Sequence, residues 1–298
     1  MTPSLQVCIV NYNTRDHLRA CLDALSAEPA DRAVIVVDNA SPDGSAEMVR
    51  QEFPSVHLIA NTVNQGFGAA ANQAIAACRS PYLLLLNGDT RVLPGALRSL
   101  AGYLDRYPRA ALVGPRLLNS DGTLQRSCRR FPGSLLWLLD NQIGGRLARS
   151  LGFRRMLHTW EHDRPRPVPW VIGAALAMRV EAIRKVGGFD PGYFLYCEEI
   201  DLCMRLWKSG WEVHFTPDAS IAHVGGGSTP GDRRSLDRHM TESTLRFYRL
   251  HYGTVRAALL QMLLRARLAF AGRRAGGGRK SPAVESKTSS SPECAPRT

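Results

Sequence analysis

No uninterrupted apolar stretch in the 298 residues approaches the about 20 needed to cross a bilayer. The amino-terminal Met1-Thr2-Pro3-Ser4-Leu5-Gln6 has no basic segment leading into an apolar one, so a secretory signal is not expected. No two cysteines form a CxxC pair. The seven (Cys8, Cys21, Cys78, Cys128, Cys197, Cys203 and Cys294) are scattered and odd in number, which argues against a zinc site or a disulfide framework and for reduced thiols in a cytosolic protein. There is no internal repeat. Aromatic residues are 7% of the chain, and the basic carboxyl-terminal part holds only Phe247, Tyr248, Tyr252 and Phe270. Without interleaved aromatics or a nucleic-acid module, nucleic acid is not an expected partner.

What is present is a globular composition, 44% hydrophobic and 21% charged, long enough for one large domain or two ordinary ones. The net charge of +12 is lopsided. Residues 233–298 carry 14 Lys/Arg against 4 Asp/Glu, a net of +10, so the body is nearly neutral. Such asymmetry points to an anionic surface.

The first ~110 residues alternate strand and helix signals, the pattern of βαβ units around a parallel sheet. Strands are expected at Gln6–Val10, Ala33–Val37, Val56–Ala60 and the run Leu83–Leu86; helices at Arg15–Ser26, before Phe53, and from Gly66-Phe67-Gly68 to Cys78. Three of these strands end in loops rich in Asn, Asp and Gly, which should share one sheet edge and form one site. Asn119-Ser120-Asp121-Gly122 reads as a hairpin turn. Residues 128–167 have no clean period and suggest a long segment over the site. A helix is expected at Glu198–Ser209, a short strand at Glu212–Thr216, and a flexible loop from His223 to Ser228. Residues 242–271 read as one helix with basic residues interspersed, and the last ~27 residues as disordered.

Five groups have the chemistry of a site. Asp38, with Asn39 and Ser41, can accept hydrogen bonds from a base or ribose, or can form an Asx turn. Gly66-Phe67-Gly68 opens a helix whose free N–H groups suit an anion; close helix–sheet packing explains it equally. Asp89 follows the leucine run at a glycine turn and suits a hard cation on phosphates, or a helix cap. Glu198-Glu199-Ile200-Asp201 clusters three carboxylates at a helix start, suiting either a general base or the helix dipole. His223 precedes three glycines, as a metal or phosphate contact or as a surface histidine.

In this order the segments resemble family 2 glycosyltransferases, within them the bacterial rhamnosyltransferase-like group. The resemblance covers roughly residues 5–230. It rests on Val10-Asn11-Tyr12-Asn13, the block Asp38 to Ser45, Asn64-Gln65-Gly66-Phe67-Gly68 with Asn72, Leu86-Asn87-Gly88-Asp89-Thr90, Gly187-Gly188-Phe189-Asp190 and Glu198-Glu199-Ile200-Asp201-Leu202. It implies an α/β chain with the glycosyltransferase A-type (GT-A) fold: a Rossmann-like nucleotide-binding half, a mixed-sheet acceptor half and a C-terminal helical extension. It further implies inverting transfer from a nucleotide-sugar, with L-rhamnose from dTDP-rhamnose expected, to a hydroxyl of a cell-surface glycan or polyprenyl-diphosphate-linked acceptor.

By that resemblance Asn11, Asn13, Asp38, Asn39, Asn64, Gly66, Asn72 and Asn87 serve the donor; Trp170, Gly173 and Asp201 border the acceptor; Asp89 and His223 hold Mg²⁺ or Mn²⁺. The base is Glu199, with Glu198 the alternative. The chain departs from the family in two places. Asp89 is the only carboxylate of its motif, which leaves a bound metal few protein ligands, and a Glu stands where the family's base is usually an Asp.

The expected layout is a catalytic domain over 1–235, a basic amphipathic helical extension over 236–271 and a disordered tail over 272–298. The extension would meet an anionic membrane surface through 240–280, placing the protein in the cytoplasm at the inner face of the plasma membrane. Two other readings stand beside this one. A non-catalytic basic nucleotide- or nucleic-acid-binding protein has the charge in its favour. A nucleotidyltransferase would carry a glycine-rich basic loop near the amino terminus, and none is visible.

Overall fold

The computed structural model describes residues 5–28, 33–133, 162–225 and 233–276. The middle of the segment expected over the site, the glycine loop beyond residue 225, the far tail and Cys294 lie outside them. The six remaining cysteines are free and buried.

Four strands form a parallel half-sheet: β1 (Leu5–Asn11), β2 (Val34–Asp38), β3 (His57–Ala60) and β4 (Tyr82–Asn87). Between them lie helices α1 (Arg15–Ser26), α2 (Ser45–Glu52) and α3 (Phe67–Ala77). The leucine run of β4 shows why this half is legible. Leu83 and Leu85 enter one core and Leu84 and Leu86 the other, all four fully buried. A strand covered on both faces has no polar side to show, so it reads as a continuous apolar run. Burial of each leucine stabilises the fold by roughly 2 kcal/mol.

The remaining chain adds β5 (Thr90–Val92), α4 (Ala96–Arg106), β6 (Ala110–Leu118), β7 (Leu124–Gln125), β8 (Cys128–Arg129), β9 (Arg166–Pro167), β10 (Trp170–Val171), β11 (Ala175–Arg179), α5 (Val180–Lys185), α6 (Glu198–Lys208) and β12 (Glu212–His223). The large sheet has ten strands in the order β3-β2-β1-β4-β11-β6-β12-β5, with β7 beside β6 and β9 beside β12; β10 and β8 pair separately. β11 runs antiparallel to β4 and β6, so the second half is mixed. Strand order reverses between β1 and β4. Ligands of open α/β sheets bind in the crevice at such a reversal, beyond the carboxyl ends of the strands.

Two expectations give way here. The short strand after α6 is twelve residues long, with a register shift between Thr216 and Ser220 where Pro217 interrupts the pattern. The single basic helix is two, α7 (Arg233–Tyr252) and α8 (Thr254–Gly276). Gly253, at φ +88°, separates them; a left-handed glycine at a helix end is the common stop. α7 begins before the expected boundary and buries Leu245, Phe247 and Tyr248 in the core.

Candidate active site

β1, β2 and β4 end side by side, Asn11 opposite Asp38 and Val10 opposite Asn87. Asn11 Nδ2 donates to Asp38 Oδ1 at 2.8 Å and to Ser41 Oγ at 3.1 Å, and Ser41 N donates to Asp38 Oδ2 at 3.0 Å. Thr14 Oγ1 donates to Asn11 Oδ1, and the backbone N–H of Asn13 to Ser41 Oγ. A Cβ on Gly88 would lie 2.6 Å from Thr14 Oγ1 and 2.8 Å from Asn11 Oδ1, so only glycine lets the β4 turn meet this knot.

A second amide network joins β2 to the start of α3. Asn39 Nδ2 donates to Asn64 Oδ1 at 2.8 Å and to the Gly66 carbonyl at 3.2 Å; Asn39 Oδ1 accepts from Asn61 Nδ2 and Gln65 N. Gly66 stands at φ +85°, and a Cβ there would collide with the Phe194 carbonyl, which accepts from Phe67 N at 3.1 Å. The donor-side loop is thereby docked on the loop that leads into α6.

These loops enclose a cavity of about 460 Å³. Asn39, Asn64, Gly66, Asn87, Asp89, Gly173, Glu198, Glu199 and His223 line it. Aromatic and helical residues complete it: Tyr12, Phe67, Phe194 and Tyr196, with Ser235, Leu236 and His239 from α7. Phe194 stacks on His239 with ring centroids 4.8 Å apart. The aromatic lining was not foreseen. For Phe194 and Tyr196 it depends on a loop conformation, and for His239 on α7, which local patterning does not encode; Tyr12 and Phe67 stand within the motifs Asn11-Tyr12-Asn13 and Asn64 to Gly68.

Six of the expected site residues are not among those that line the cavity. Asp38 is buried behind the cavity lining, with both carboxylate oxygens tying loops together. Asn11 and Asn13 belong to the same knot and do not line the cavity. Asn72 clamps α3 to the backbone of Phe189, donating from Nδ2 and accepting at Oδ1, both at 2.8 Å. Trp170 is buried and donates its indole N–H to the Arg130 carbonyl. Asp201 faces the back of α6, where it accepts from His251 Nε2 at 2.7 Å and Arg205 Nε at 2.8 Å. Burial pushes its carboxyl up, but hydrogen bonds from His251 and Arg205 outweigh this and hold it below the ordinary value.

Tyr196 and Cys197 both adopt left-handed backbone, at φ +70° and +66°. Each costs about 1–2 kcal/mol outside glycine, and the kink delivers the first turn of α6 into the cavity. Glu198 is buried there and Glu199 half-buried, each with a buried Oε2 that lacks a hydrogen-bond partner. The ideal Cβ position at Gly173 lies 3.6 Å from Glu199 Cβ and Cγ, so its lack of a side chain leaves room beside the carboxylate.

Both pKa values are raised. For Glu198 desolvation leads and the Glu199 charge adds to it, taking it well above the ordinary value. For Glu199 desolvation is opposed by backbone N–H donors and by the Arg129 charge. Burial and the neighbouring charge make Glu198 the harder of the two to ionise, and the N–H donors and Arg129 make Glu199 the easier. A carboxyl with a raised folded-state pKa is at its most favourable below its unfolded value and loses that advantage as pH rises through the folded value. Glu198→Gln should therefore melt above the wild type at pH 8, with the gap closing toward pH 4, as calorimetry across pH would show.

Asp89 lies 3.5 Å from His223 Nε2. His223 Nδ1 donates to Gln125 Oε1 at 2.8 Å, and Gln125 Nε2 donates to Asn119 Oδ1, which fixes the amide orientation. Nε2, the ring nitrogen not bonded to Gln125, is the one that faces Asp89. Asn87 Oδ1 is a further buried oxygen without a hydrogen-bond partner. Among the described residues no three His, Cys, Asp or Glu converge. The set fits a divalent cation held by Asp89 and His223 and otherwise by phosphate and water.

Residues 6–187 match the family described as Glycosyl transferase family 2, and residues 145–273 match Glycosyl transferase family group 2. An N-acetylglucosaminyl-diphospho-decaprenol L-rhamnosyltransferase of Mycobacterium tuberculosis is 32% identical over 272 residues, 87% of this chain and 89% of its own. The rhamnosyltransferase WbbL of Escherichia coli is 26% identical over 250 residues, 81% of this chain and 91% of its own. Among solved structures, a mannosyltransferase from Pyrobaculum calidifontis in complex with GDP-Man and Mn²⁺ aligns with TM-score 0.56 at 18% identity, over 94% of this chain and 77% of its own. GalNAc-T7 with UDP, GalNAc and Mn²⁺ aligns with TM-score 0.59 at 14% identity, over 82% of this chain and 47% of its own.

Fold and site together define a glycosyltransferase with the A-type fold. The chain belongs to glycosyl transferase family 2, in its rhamnosyltransferase-like group. The reading as a non-catalytic nucleotide- or nucleic-acid-binding protein finds no support in these matches.

Proposed function

We propose that the protein transfers L-rhamnose, with inversion, from a nucleotide-sugar to a hydroxyl of an N-acetylglucosamine carried on a polyprenyl diphosphate. The observation that carries the catalytic part is the acid pair Glu198 and Glu199 lining one cavity with Asp89 and His223. The substrates follow the two rhamnosyltransferase relatives.

The donor is held over Asn39, Asn64 and Gly66, with its diphosphate toward Asp89 and His223. Asn11, Asp38 and Asn72 serve by fixing the loops. Glu199 accepts the proton of the acceptor hydroxyl. The hydroxyl oxygen bonds to the anomeric carbon as the bond from that carbon to the diphosphate oxygen breaks on the opposite face. Mg²⁺ or Mn²⁺ at Asp89 and His223 supplies neutralisation of the charge developing on the departing diphosphate. Glu198, neutral beside Glu199, gives that carboxylate a desolvated neighbour without a second full charge. Positioning and charge stabilisation account for the rate.

The test is a panel of nucleotide-sugars incubated with a lipid-diphosphate N-acetylglucosamine acceptor and Mn²⁺. Product mass should show one deoxyhexose added from dTDP-L-rhamnose. Addition of another sugar, with none from dTDP-L-rhamnose, sinks the donor assignment.

The same reading places the enzyme at an anionic membrane surface. Among the described residues no helix is long and apolar enough to cross a membrane. α8 has two apolar sides instead. Ala257 and Leu260 face the core, while Val255, Leu259, Met262 and Leu263 are 73%, 55%, 66% and 49% exposed. The exposed four recur at i, i+4, i+7 and i+8 and share one face. At about 100° per residue, Arg256 and Arg265 fall on its two borders. An apolar stripe between arginines fits an anionic lipid interface. Because α7 is part of the core, point variants test this better than truncation. Leu259→Glu with Met262→Glu should abolish co-sedimentation with phosphatidylglycerol vesicles at low salt without lowering the melting temperature. Unchanged sedimentation removes the membrane claim.

A further inference from the structure

Between the acid pair and the exposed stripe of α8 lie cationic and aromatic groups that the reaction described above does not use. Arg129, in β8, stands opposite Trp170 of β10, and its guanidinium lies 5.9 Å from the Trp170 ring centroid. β8 is held firmly. His162 Nε2 accepts from the backbone N–H groups of Ser127 and Cys128 at 3.1 and 3.2 Å, and Ile172 N donates to the Ser127 carbonyl at 3.0 Å. Ile172 and Gly173 line the cavity, and Gly173 abuts Glu199. Arg129 is thus fixed beside the segment that reaches the cavity at Ile172 and Gly173, close enough for its charge to act on Glu199. It is exposed, and among the described residues it forms no ion pair.

The chain beyond β8 meets the end of α7, just before α8. The Tyr252 hydroxyl donates to the Pro132 carbonyl, three residues beyond Arg129. Arg256 lies 6.0 Å from the Tyr252 ring centroid, next to Val255, where the exposed stripe begins. From the base outward the order is carboxylate, guanidinium, aromatic ring, second guanidinium, apolar stripe. A lipid-linked sugar has the matching order of hydroxyl, diphosphate and hydrocarbon.

We propose that Arg129 binds the diphosphate of the lipid-linked acceptor, holding the sugar hydroxyl at Glu199 while the hydrocarbon leaves past Tyr252 and Arg256 along the exposed face of α8. This rests on the transferase reading with a lipid-diphosphate acceptor. Guanidinium is the suited group, since its planar fork matches two phosphate oxygens. Stacking on Trp170 restricts it in advance, so less freedom is lost on binding. Arg129 is then a specificity determinant for an anionic acceptor.

Two soluble probes test this: citronellyl diphospho-N-acetylglucosamine, and citronellyl N-acetylglucosaminide without the diphosphate. Titration calorimetry should show the wild type binding the first at least about tenfold more tightly. Arg129→Ala should weaken that probe about 10- to 100-fold, the range for a lost charge-assisted hydrogen bond, and move the neutral probe less than about twofold. Arg129→Lys should recover part of the preference. A wild type that does not distinguish the probes, or an Arg129→Ala variant that weakens both equally, overturns the assignment. No sugar donor enters the titration. A failed rhamnose transfer beside intact probe discrimination would count against the donor reading and leave the acceptor site standing.

Discussion

Glu199→Gln should lower kcat about 10³-fold, within the usual contribution of a general base, while donor affinity stays within about twofold. The substitution keeps the shape of the side chain beside Gly173 and removes only its capacity to accept a proton. The pH dependence gives a second mark. Burial raises the Glu199 carboxyl above the ordinary 4.5. As pH falls through that raised value the base is protonated, so wild-type kcat/KM should fall on an acid limb displaced upward from the usual carboxylate range. The variant should lack that limb. Glu198→Gln should retain far more activity, because burial and the Glu199 charge make Glu198 the harder of the two to ionise. If Glu199→Gln keeps more than about a tenth of kcat and Glu198→Gln does not, the two roles are exchanged.

Asp89→Asn should lower kcat/KM about 10²- to 10³-fold, the scale for losing one group that stabilises transition-state charge. Asp89 is the only carboxylate of its turn and is 3% exposed, with His223 as its near neighbour. An amide keeps the volume and removes the charge that attracts a cation. The Mn²⁺ concentration for half-maximal rate should rise along with the loss of rate. His223→Ala should show the same shift more weakly, since a neutral imidazole contributes less to a hard cation than a carboxylate does. A variant of Asp89 with wild-type rate and Mn²⁺ dependence would place the diphosphate elsewhere.

The parallel half of the fold was legible because its strands are covered on both faces. Leu83–Leu86 has no polar alternation to confuse with a helix face, and the Asn- and Gly-rich ends of β1, β2 and β4 mark one edge. β12 was read as less than half its length because Pro217 falls at an internal register shift that a local pattern takes for an end. The α7–α8 break turns on one residue, Gly253, inside an otherwise continuous helical pattern.

The site was legible in its order but not in its depth. Asp38, Asn72 and Asp201 stand in recognised motifs, yet each spends its polar atoms on backbone or neighbouring side chains. Spacing tells that such a residue is at the site's edge, not whether its side chain faces the ligand or braces the loop behind it. For Asp201 a signal was present, since Arg205 follows at i+4 and pairs with it. Phe194, Tyr196 and His239 had no such signal. They reach the cavity through two left-handed residues and through a helix more than thirty positions away.

The most direct test of this active site is a crystal structure with dTDP and Mn²⁺, with the ion located by its anomalous scattering. The ion should be bound to Asp89 and face His223, with the diphosphate in the same cavity as Glu199 and the base over Asn39 and Asn64. An ion or diphosphate bound outside that cavity, with Asp89 and His223 still joined only to their own neighbours, would contradict this assignment.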